Sequence, residues 1–235
     1  MPVFDVKKPI MVVVAHPDDE ALGCGGTMLR LAHEGAELHL VFLSEGVSSR
    51  YADAYRESDW DEKIEHREQM ARDVAKRVKA ASVSFARFQN LQMRNLRMLD
   101  IVKTIESAIE RHRPATIFTH AGGDMNSDHR ITCEAVLTAC RPIPGHSVKA
   151  IYAMEISSST EWSSANLFPP FLPNCFIDIS AHLQDKCDLL KVYDFEMRPF
   201  PHARSMESVQ ALARHRGATV GVAAAEAFTV LRQIV

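Results

Sequence analysis

The sequence IMVVVAHPDDE occupies residues 10–20, and its two halves differ sharply in character. The first half is short, apolar and β-branched without alternation, which is typical of a central parallel strand that is buried on both faces. One imidazole and three carboxylates then follow between His16 and Glu20. Burying that much charge at the end of a strand is costly unless a cation or a reaction uses it. Because open α/β sheets bind ligands outside the carboxyl ends of their strands, this stretch predicts a metal-centred active site.

The bulk composition bounds the class of protein. A chain of 235 residues fits one large α/β domain over residues 1–235, and a hydrophobic share of 46% allows a substantial core. The net charge of −3 and the lack of Lys/Arg runs do not indicate a basic surface that would bind nucleic acid or an anionic membrane. No apolar window approaches the roughly 18 residues of a membrane span, and the charged residues 1–8 do not resemble a signal peptide.

The cysteines indicate a compartment. There are five of them, an odd number, and none has C-x-x-C spacing. Such usage suits a reducing environment better than a disulfide framework. We therefore expect a cytoplasmic protein whose cysteines are small buried apolar residues. Whether the chain forms a homo-oligomer stays open, because nothing in the sequence decides it.

Strand and helix patterns alternate along the chain. This alternation predicts a single α/β domain with a Rossmann-like, mostly parallel sheet and helices on both faces. A helix is expected over residues 21–34, and a polar helix over residues 61–79, with Arg67 on its solvated face. From residue 181 onward the pattern predicts helix, interrupted only at residues 198–202.

Two groups of polar residues lie where metal ligands could converge. His16 and Asp19 follow the first strand, and Asp128-His129 follows a later strand after a Gly-rich loop. Two imidazoles and one carboxylate with open positions are the ligand set of a catalytic zinc site, because structural zinc sites close with four protein ligands. Asp18, beside Asp19, is placed to take a proton from the attacking water.

Two other interpretations of these motifs are weaker. The glycines at residues 23–26 resemble a dinucleotide fingerprint, but Met28 occupies the position of its third glycine. Non-haem iron oxygenases also use two histidines and one carboxylate, but they are generally all-β proteins with a different ligand spacing. Zn²⁺ is therefore the expected cofactor, with Fe²⁺ as the alternative metal.

Three motifs together resemble one known family. They are AHPDDE at residues 15–20, GCGGT at residues 23–27 and DMNSDH at residues 124–129. These motifs are similar to those of the PIG-L/LmbE-like family of zinc-dependent N-acetyl amino-sugar deacetylases. Weaker likenesses extend over most of the chain, at residues 43–46, 216–217 and 225–228.

The resemblance implies a function and a site. It implies a hydrolase that removes acetate from an N-acetylglucosamine-like unit, with a small-molecule N-acetylated sugar or sugar conjugate as its partner. By the same resemblance, His16, Asp19 and His129 would hold zinc and Asp18 would be the general base.

One position departs from the family pattern. Many members carry a histidine three residues before the last metal-binding histidine, where this chain has Asn126. An amide can donate a hydrogen bond to an oxyanion, but it cannot titrate as an acid. His202, on a proline-rich break, is the imidazole we expect in its place, within about 6 Å of the open side of the metal. A packing or capping role for His202 is the alternative.

Four further residues are candidates for substrate binding. Arg50 lies in the loop after the second strand, and Arg204 lies two residues after His202. Glu161 and Trp162 belong to a Ser- and Pro-rich loop whose hydroxyls, carboxylate and aromatic face suit a sugar ring. Long loops in compact domains are usually functional lids or binding loops.

The sequence leaves the carrier of the sugar open. A nucleotide, lipid or glycoconjugate carrier is consistent with it, and so is a glucosaminyl conjugate of low-molecular-weight thiol synthesis. A non-catalytic sugar-binding metalloprotein is the alternative from another class. Asp18 argues against that alternative, because a binding module has no need for a base beside the metal.

Overall fold

A computed structural model describes residue 6, residues 8–50 and residues 60–235, apart from the side chain of Arg50. The strands are β1 (Ile10–Val14), β2 (Leu38–Ser44), β3 (Ser82–Phe88), β4 (Thr116–His120), β5 (Ala150–Met154), β6 (Cys175–Asp178) and β7 (Ala225–Gln233). The helices are α1 (Asp19–His33), α2 (Asp61–Arg77), α3 (Met98–His112), α4 (Ser127–Ala139), α5 (Leu183–Leu190) and α6 (Met206–Val220). Within these ranges, no helix is long and apolar enough to cross a membrane.

The described strands form one sheet in the order β3-β2-β1-β4-β5-β7-β6. Strands β1 to β5 pair in parallel, and β7 runs antiparallel between β5 and β6. The expected fold class, a mostly parallel α/β sheet, is confirmed. The order reverses direction at β1, so β1 and β4 lie side by side at a topological switch point, where sheets of this kind bind ligands.

The central strand β1 separates two apolar layers. Ile10, Val12 and Val14 join a core beneath α1, α2, α5 and α6, whereas Met11 and Val13 join a core beneath α3 and α4. Successive side chains of a strand point to opposite faces, so a strand that is covered on both sides needs an uninterrupted apolar run. This requirement explains why residues 10–14 show no alternation.

Strand β7 corrects the expectation of helix from residue 181 onward. Helix α6 ends at Val220, and the next residue, Gly221, has a φ of 81° in the left-handed region that glycine favours. The chain then pairs with β5 and β6 over Ala225–Gln233. Residues 222–227 are mostly alanine, a strong helix former, but burial between two strands overrides that local preference.

Helix α1 is kinked where a buried ion pair enters it. Cys24 leaves the helical region, with φ and ψ of −143° and 25°. The Glu226 carboxylate accepts hydrogen bonds from the N–H groups of residues 26–27 at 2.9 and 2.7 Å. Lys186 Nζ donates to the Leu22 carbonyl at 2.8 Å and to Glu226 at 2.6 Å. Side chains from β7 and α5 therefore satisfy backbone groups that the kink releases.

We expect Glu226→Gln to destabilise the protein by about 3–5 kcal/mol, because removing one partner of a buried ion pair leaves the other charge uncompensated. The free energy of unfolding in urea measures this effect. Lys103→Met is the control, since it breaks an exposed pair with Glu106 and should change that free energy by less than about 1 kcal/mol. Equal stability of the two variants would contradict the role assigned to Glu226.

Candidate active site

The three predicted metal ligands meet at the carboxyl ends of β1 and β4. His16 follows β1, Asp19 begins α1, and His129 lies in the first turn of α4. All three side chains are buried. Strands β1 and β4 are parallel neighbours, so the turns that follow them open at the same edge of the sheet.

The donor atoms of these residues form a nearly equilateral triangle. Asp19 Oδ2 lies 3.3 Å from His16 Nδ1 and 3.3 Å from His129 Nε2, and the two nitrogens lie 3.3 Å apart. A tetrahedral ion with bonds of about 2.0–2.1 Å would separate its ligand atoms by about 3.3–3.4 Å. The three side chains therefore fit a divalent metal such as zinc.

The surroundings of this triangle favour positive charge. His129 Nδ1 lies 3.1 Å from Asp124 Oδ1, and His16 Nε2 lies 3.4 Å from Asp128 Oδ2. Although burial lowers the pKa of His129, the carboxylates of Asp19 and Asp124 raise it to about 10. Asp19 Oδ1 is buried and has no hydrogen-bond partner among the described residues. A divalent cation bound here would supply positive charge that stabilises these buried carboxylates.

Asn126, rather than Asp128, caps helix α4. Its Oδ1 accepts a hydrogen bond from the Asp128 N–H at 2.9 Å, and its own N–H donates to Asp124 Oδ1 at 2.8 Å. The Asp128 carboxylate instead accepts from the Leu91 N–H at 2.7 Å and faces His16. Asp128 thus lies beside the His16 ring, where the outer partners of metal-bound imidazoles commonly lie.

His120 belongs to the site, although no partner for it is visible in the sequence. Its Nε2 accepts a hydrogen bond from the Ala15 N–H at 2.8 Å, and its ring stacks on that of His129 with centroids 4.0 Å apart. Burial, aided by the charge of His129, lowers the pKa of His120 to about 3, which keeps the ring neutral. His120 therefore ties the end of β4 to the end of β1. The one signal in the sequence is its place as the last residue of a buried strand.

The backbone that presents Asp18 is strained. Its φ of 125° lies in a region that L-residues rarely adopt, at a cost of about 1–3 kcal/mol. Its N–H donates to Glu20 Oε2 at 3.0 Å, and Glu20 Oε1 accepts from the Tyr193 hydroxyl at 2.6 Å. These contacts hold the turn in which Asp18 lies.

Two arginines bind the Asp18 carboxylate. Arg204 Nη1 lies 2.7 Å from Asp18 Oδ2 and Arg67 Nη2 lies 3.2 Å from it. Both guanidinium groups also pair with Glu196, and Arg67 donates to the Pro17 carbonyl at 2.6 Å. Burial raises the pKa of Asp18, and the two arginines oppose that rise.

Arg67 corrects the expectation of a solvated face on α2. Its side chain is buried because its partners come from the turn after β1 and from the segment after α5. The sequence did not reveal the contact between Arg67 and Glu196 because Arg67 has charged neighbours on α2. Periodicity within one helix carries no information about a partner 129 residues away.

The loop between β5 and β6 packs on the Gly-rich loop after β4. The hydroxyls of Ser159 and Thr160 donate to the Asp124 carboxylate. A β-carbon at Gly123 would lie 1.8 Å from the Pro169 carbonyl oxygen, so glycine is required at this close approach. The Ser- and Pro-rich loop that contains Glu161 and Trp162 thus forms one wall of the site, through Ser158 and Ser159.

A cleft of about 160 Å³ lies beside the metal triangle. Its lining includes His16, Asp18, Asn126, His129, Ser158 and Arg204. The cleft therefore brings together the two predicted histidine ligands, the predicted base, the predicted oxyanion donor and one predicted substrate-binding residue.

His202 and Trp162 line an adjoining cavity, with ring centroids 5.8 Å apart. His202 Nδ1 accepts a hydrogen bond from the Arg204 N–H at 3.0 Å, and His202 is not among the described residues that line the cleft. Arg204, two residues after His202, is the residue of this segment that contacts Asp18. The catalytic role expected of His202 therefore stays a prediction.

The other predicted substrate-binding residues differ in what the structure says of them. The Glu161 carboxylate accepts hydrogen bonds from the N–H groups of Ser158 and Ser159 at 2.6 and 3.3 Å, which fixes the turn that lines the cleft. Arg50 ends a short 3-10 helix, and its side chain lies outside the described residues.

Solved structures share this fold. The N,N'-diacetylchitobiose deacetylase from Pyrococcus horikoshii matches with a TM-score of 0.74 and 18% identity, covering 97% of this chain and 88% of that chain. GalB, the 4-carboxy-2-hydroxymuconate hydratase from Pseudomonas putida, matches with a TM-score of 0.73 and 20% identity, covering 97% and 98%. At such low identity, these likenesses show the fold alone.

Sequence comparison identifies the family. The chain is 26% identical to the 1D-myo-inositol 2-acetamido-2-deoxy-alpha-D-glucopyranoside deacetylase of Mycobacteroides abscessus, over 84% of each chain. The PIG-L family model, described as GlcNAc-PI de-N-acetylase, matches residues 11–140, which are more than half of the chain and contain His16, Asp19 and His129. The resemblance seen in the three motifs is thereby confirmed, and the chain belongs to the PIG-L family.

Proposed function

We propose that this protein is a zinc-dependent hydrolase that removes acetate from an N-acetylated amino sugar. The observation that carries the proposal is the 3.3 Å triangle of donor atoms from His16, Asp19 and His129, next to the Asp18 carboxylate in one cleft. Two imidazoles and one carboxylate with open coordination positions suit catalysis rather than a structural site.

The proposed metal site uses His16, Asp19 and His129 as ligands, with Asp124 and Asp128 orienting the two rings. When bound, a divalent ion there acts as a Lewis acid toward the acetamide carbonyl and lowers the pKa of water. Iron(II) is the alternative occupant, because the ligand set accepts either metal.

Asp18 is the proposed general base. It takes a proton from the water whose oxygen bonds to the acetamide carbon, and it returns that proton to the nitrogen as the C–N bond breaks. Acetate and a free amine are the products. Arg67 and Arg204 hold the carboxylate through contacts at 3.2 and 2.7 Å, which supports a fixed direction for this proton transfer.

Asn126 is the proposed donor to the oxyanion. Its Oδ1 caps α4. The Nδ2 donors of the amide are therefore the groups that could bind a substrate oxygen in the cleft, which Asn126 lines. A neutral amide donor stabilises developing negative charge without transferring a proton.

The proposed substrate class is an acetamido sugar on a carrier. The relative from Mycobacteroides abscessus is a deacetylase of an inositol-linked 2-acetamido sugar, which supports both the main proposal and the alternative of thiol synthesis. An assay of acetate release over N-acetylated sugars, nucleotide sugars and sugar conjugates tests the function. Binding without acetate release from any of them would instead favour a non-catalytic sugar-binding metalloprotein.

We expect the purified protein to contain about one equivalent of zinc or iron per chain, and the His16→Ala/His129→Ala double variant to lose it. Elemental analysis of protein prepared without chelators measures the content. His215→Ala is the control, because this exposed residue lies on α6 and should leave the metal in place. Full occupancy in the double variant would refute the ligand assignment.

Asp18→Asn should keep the metal and lose about 10²- to 10⁴-fold in kcat, because the amide is nearly isosteric but cannot accept the proton of the attacking water. Steady-state acetate release and metal content are the two measurements. Asp100→Asn, an exposed carboxylate on α3, serves as control. Turnover at the wild-type rate would require another base.

Arg204→Ala should lower kcat by about 10- to 100-fold, the usual effect of removing a group that orients a catalytic side chain. We expect KM to change little and Arg204→Lys to recover part of the loss. Arg97→Ala, at a highly exposed arginine, controls for loss of charge. A rise in KM at constant kcat would instead indicate the direct substrate contact expected of Arg204 from the sequence.

A further inference from the structure

The cleft beside the metal triangle is small. Its volume is about 160 Å³, whereas pockets that enclose a whole ligand usually measure about 300–1,000 Å³. The cleft therefore holds the reacting end of a substrate and little else. Substrate atoms that contact its walls must lie close to the acetamide, which the proposed function places beside Asp18.

Two serines line the cleft from different loops. Ser49 lies in the loop after β2 and Ser158 in the loop after β5, and both are half-buried residues of the lining. In the sheet, β2 and β5 flank the pair β1–β4, and His16 and His129 follow that pair. The two serines therefore come to the cleft from opposite sides of the two imidazoles.

The hydroxyl of Ser158 is oriented by Arg204. Arg204 Nε donates to Ser158 Oγ at 2.7 Å. Because a guanidinium group is only a donor, Ser158 Oγ is the acceptor of this bond and its own proton must point elsewhere. The Ser158 N–H donates to the Glu161 carboxylate at 2.6 Å, which fixes the turn independently of Arg204.

The turn that carries Ser158 keeps this one hydroxyl for a ligand. Ser159 and Thr160 use their hydroxyls to donate to the Asp124 carboxylate. Ser158 has a φ of 67°, in the left-handed region that residues other than glycine rarely adopt. Strained backbone of this kind is concentrated at ligand-binding sites, and here it presents the side chain that remains available.

The hydroxyl of Ser49 is oriented in the same way by Asn90. Asn90 Nδ2 donates to Ser49 Oγ at 2.7 Å, and the Asn90 N–H donates to Glu45 Oε1 at 2.8 Å. The amide nitrogen of asparagine is only a donor, so the Ser49 proton also points elsewhere. Among the residues that the structure describes, neither serine proton has an acceptor.

We propose that Ser49 and Ser158 are substrate-binding residues, which donate hydrogen bonds from opposite walls to two oxygens of the amino sugar. The inference rests on the proposed deacetylase function, which fixes where the acetamide lies. Because the cleft is small, the two oxygens belong to the carbons on either side of the carbon that bears the acetamide. One is the anomeric oxygen and the other is a ring hydroxyl. The serine pair thus selects an acetamide with an oxygen on each side.

Acetate release from N-acetylglucosamine and two analogues tests these contacts. The anhydro analogue lacks the anomeric hydroxyl, and the deoxy analogue lacks the hydroxyl on the other neighbouring carbon. We expect Ser49→Ala and Ser158→Ala each to lower kcat/KM for N-acetylglucosamine about 10-fold, because each removes one hydrogen bond. Each variant should lose nothing on the analogue that lacks its partner oxygen, and that analogue should differ between the two serines.

Two further variants serve as controls. Ser107→Ala, at an exposed position on α3, should leave all three values unchanged. Ser158→Gly removes the hydroxyl and also relieves the positive φ, so it should show the same loss as Ser158→Ala. Wild-type activity of the glycine variant would assign the loss to backbone strain and overturn the contact of Ser158. An equal loss on all three substrates would overturn the contact of the serine concerned.

Calorimetry with glucosamine, the deacetylated product, tests the contacts without turnover. Glucosamine keeps both oxygens, so its affinity should fall about 10-fold in each alanine variant. In the Ser49→Ala/Ser158→Ala double variant it should fall about 100-fold, because effects at separate sites add. Failure of the wild-type protein to bind glucosamine would overturn the contacts, since they involve no atom of the acetyl group.

The two measurements separate the contacts from the reaction. The expected losses of glucosamine affinity, without acetate release from any sugar, would leave both serine contacts standing and refute the deacetylase function. Acetate release by the wild-type protein, with glucosamine affinity and kcat/KM unchanged in both alanine variants, would overturn the contacts and leave the deacetylase function standing.

Discussion

Buried carboxyl groups at the ends of β1 and β4 are the constraint that the surrounding structure satisfies. They are Asp18, Asp19, Glu20, Asp124 and Asp128, each at most 2% exposed. Imidazoles face three of them, guanidinium groups face Asp18, and a tyrosine hydroxyl binds Glu20, whose pKa burial raises to about 8. A buried charge without a partner costs several kcal/mol. The contacts of these partners therefore stabilise the packing of their helices and loops around the site.

The His16, Asp19 and His129 cluster can be predicted from the sequence because its geometry is local to two strand ends. His16 and Asp19 lie three residues apart along the chain, after a strand that its composition identifies, and parallel pairing brings His129 to the same edge. The groups that hold Asp18 cannot be predicted in this way. Arg67 lies on α2 and Glu196 lies in the segment after α5, and their own neighbours along the chain carry no sign of the contact.

The fold does not by itself fix the reaction. Similar structures include a chitobiose deacetylase and a hydratase, and one sheet edge can serve unrelated chemistry when the loops around it change. In this chain two such parts are the loop between β5 and β6 and the segment before α6. Together they supply Ser158 and Arg204 to the cleft and Trp162 to the space next to it.

The Glu226 carboxylate in the kink of α1 also bears on how the protein is made. Its hydrogen-bond partners on α1 lie about two hundred residues earlier in the chain, so α1 receives these contacts from a strand that is synthesised much later. Domains generally fold as units, and here an N-terminal fragment that ends before β7 would hold the proposed metal ligands of the motif but lack the carboxylate that supports helix α1. Formation of the site is thus coupled to synthesis of β7, and a nascent or clipped product that lacks β7 would carry the motif without the contacts that support its helix.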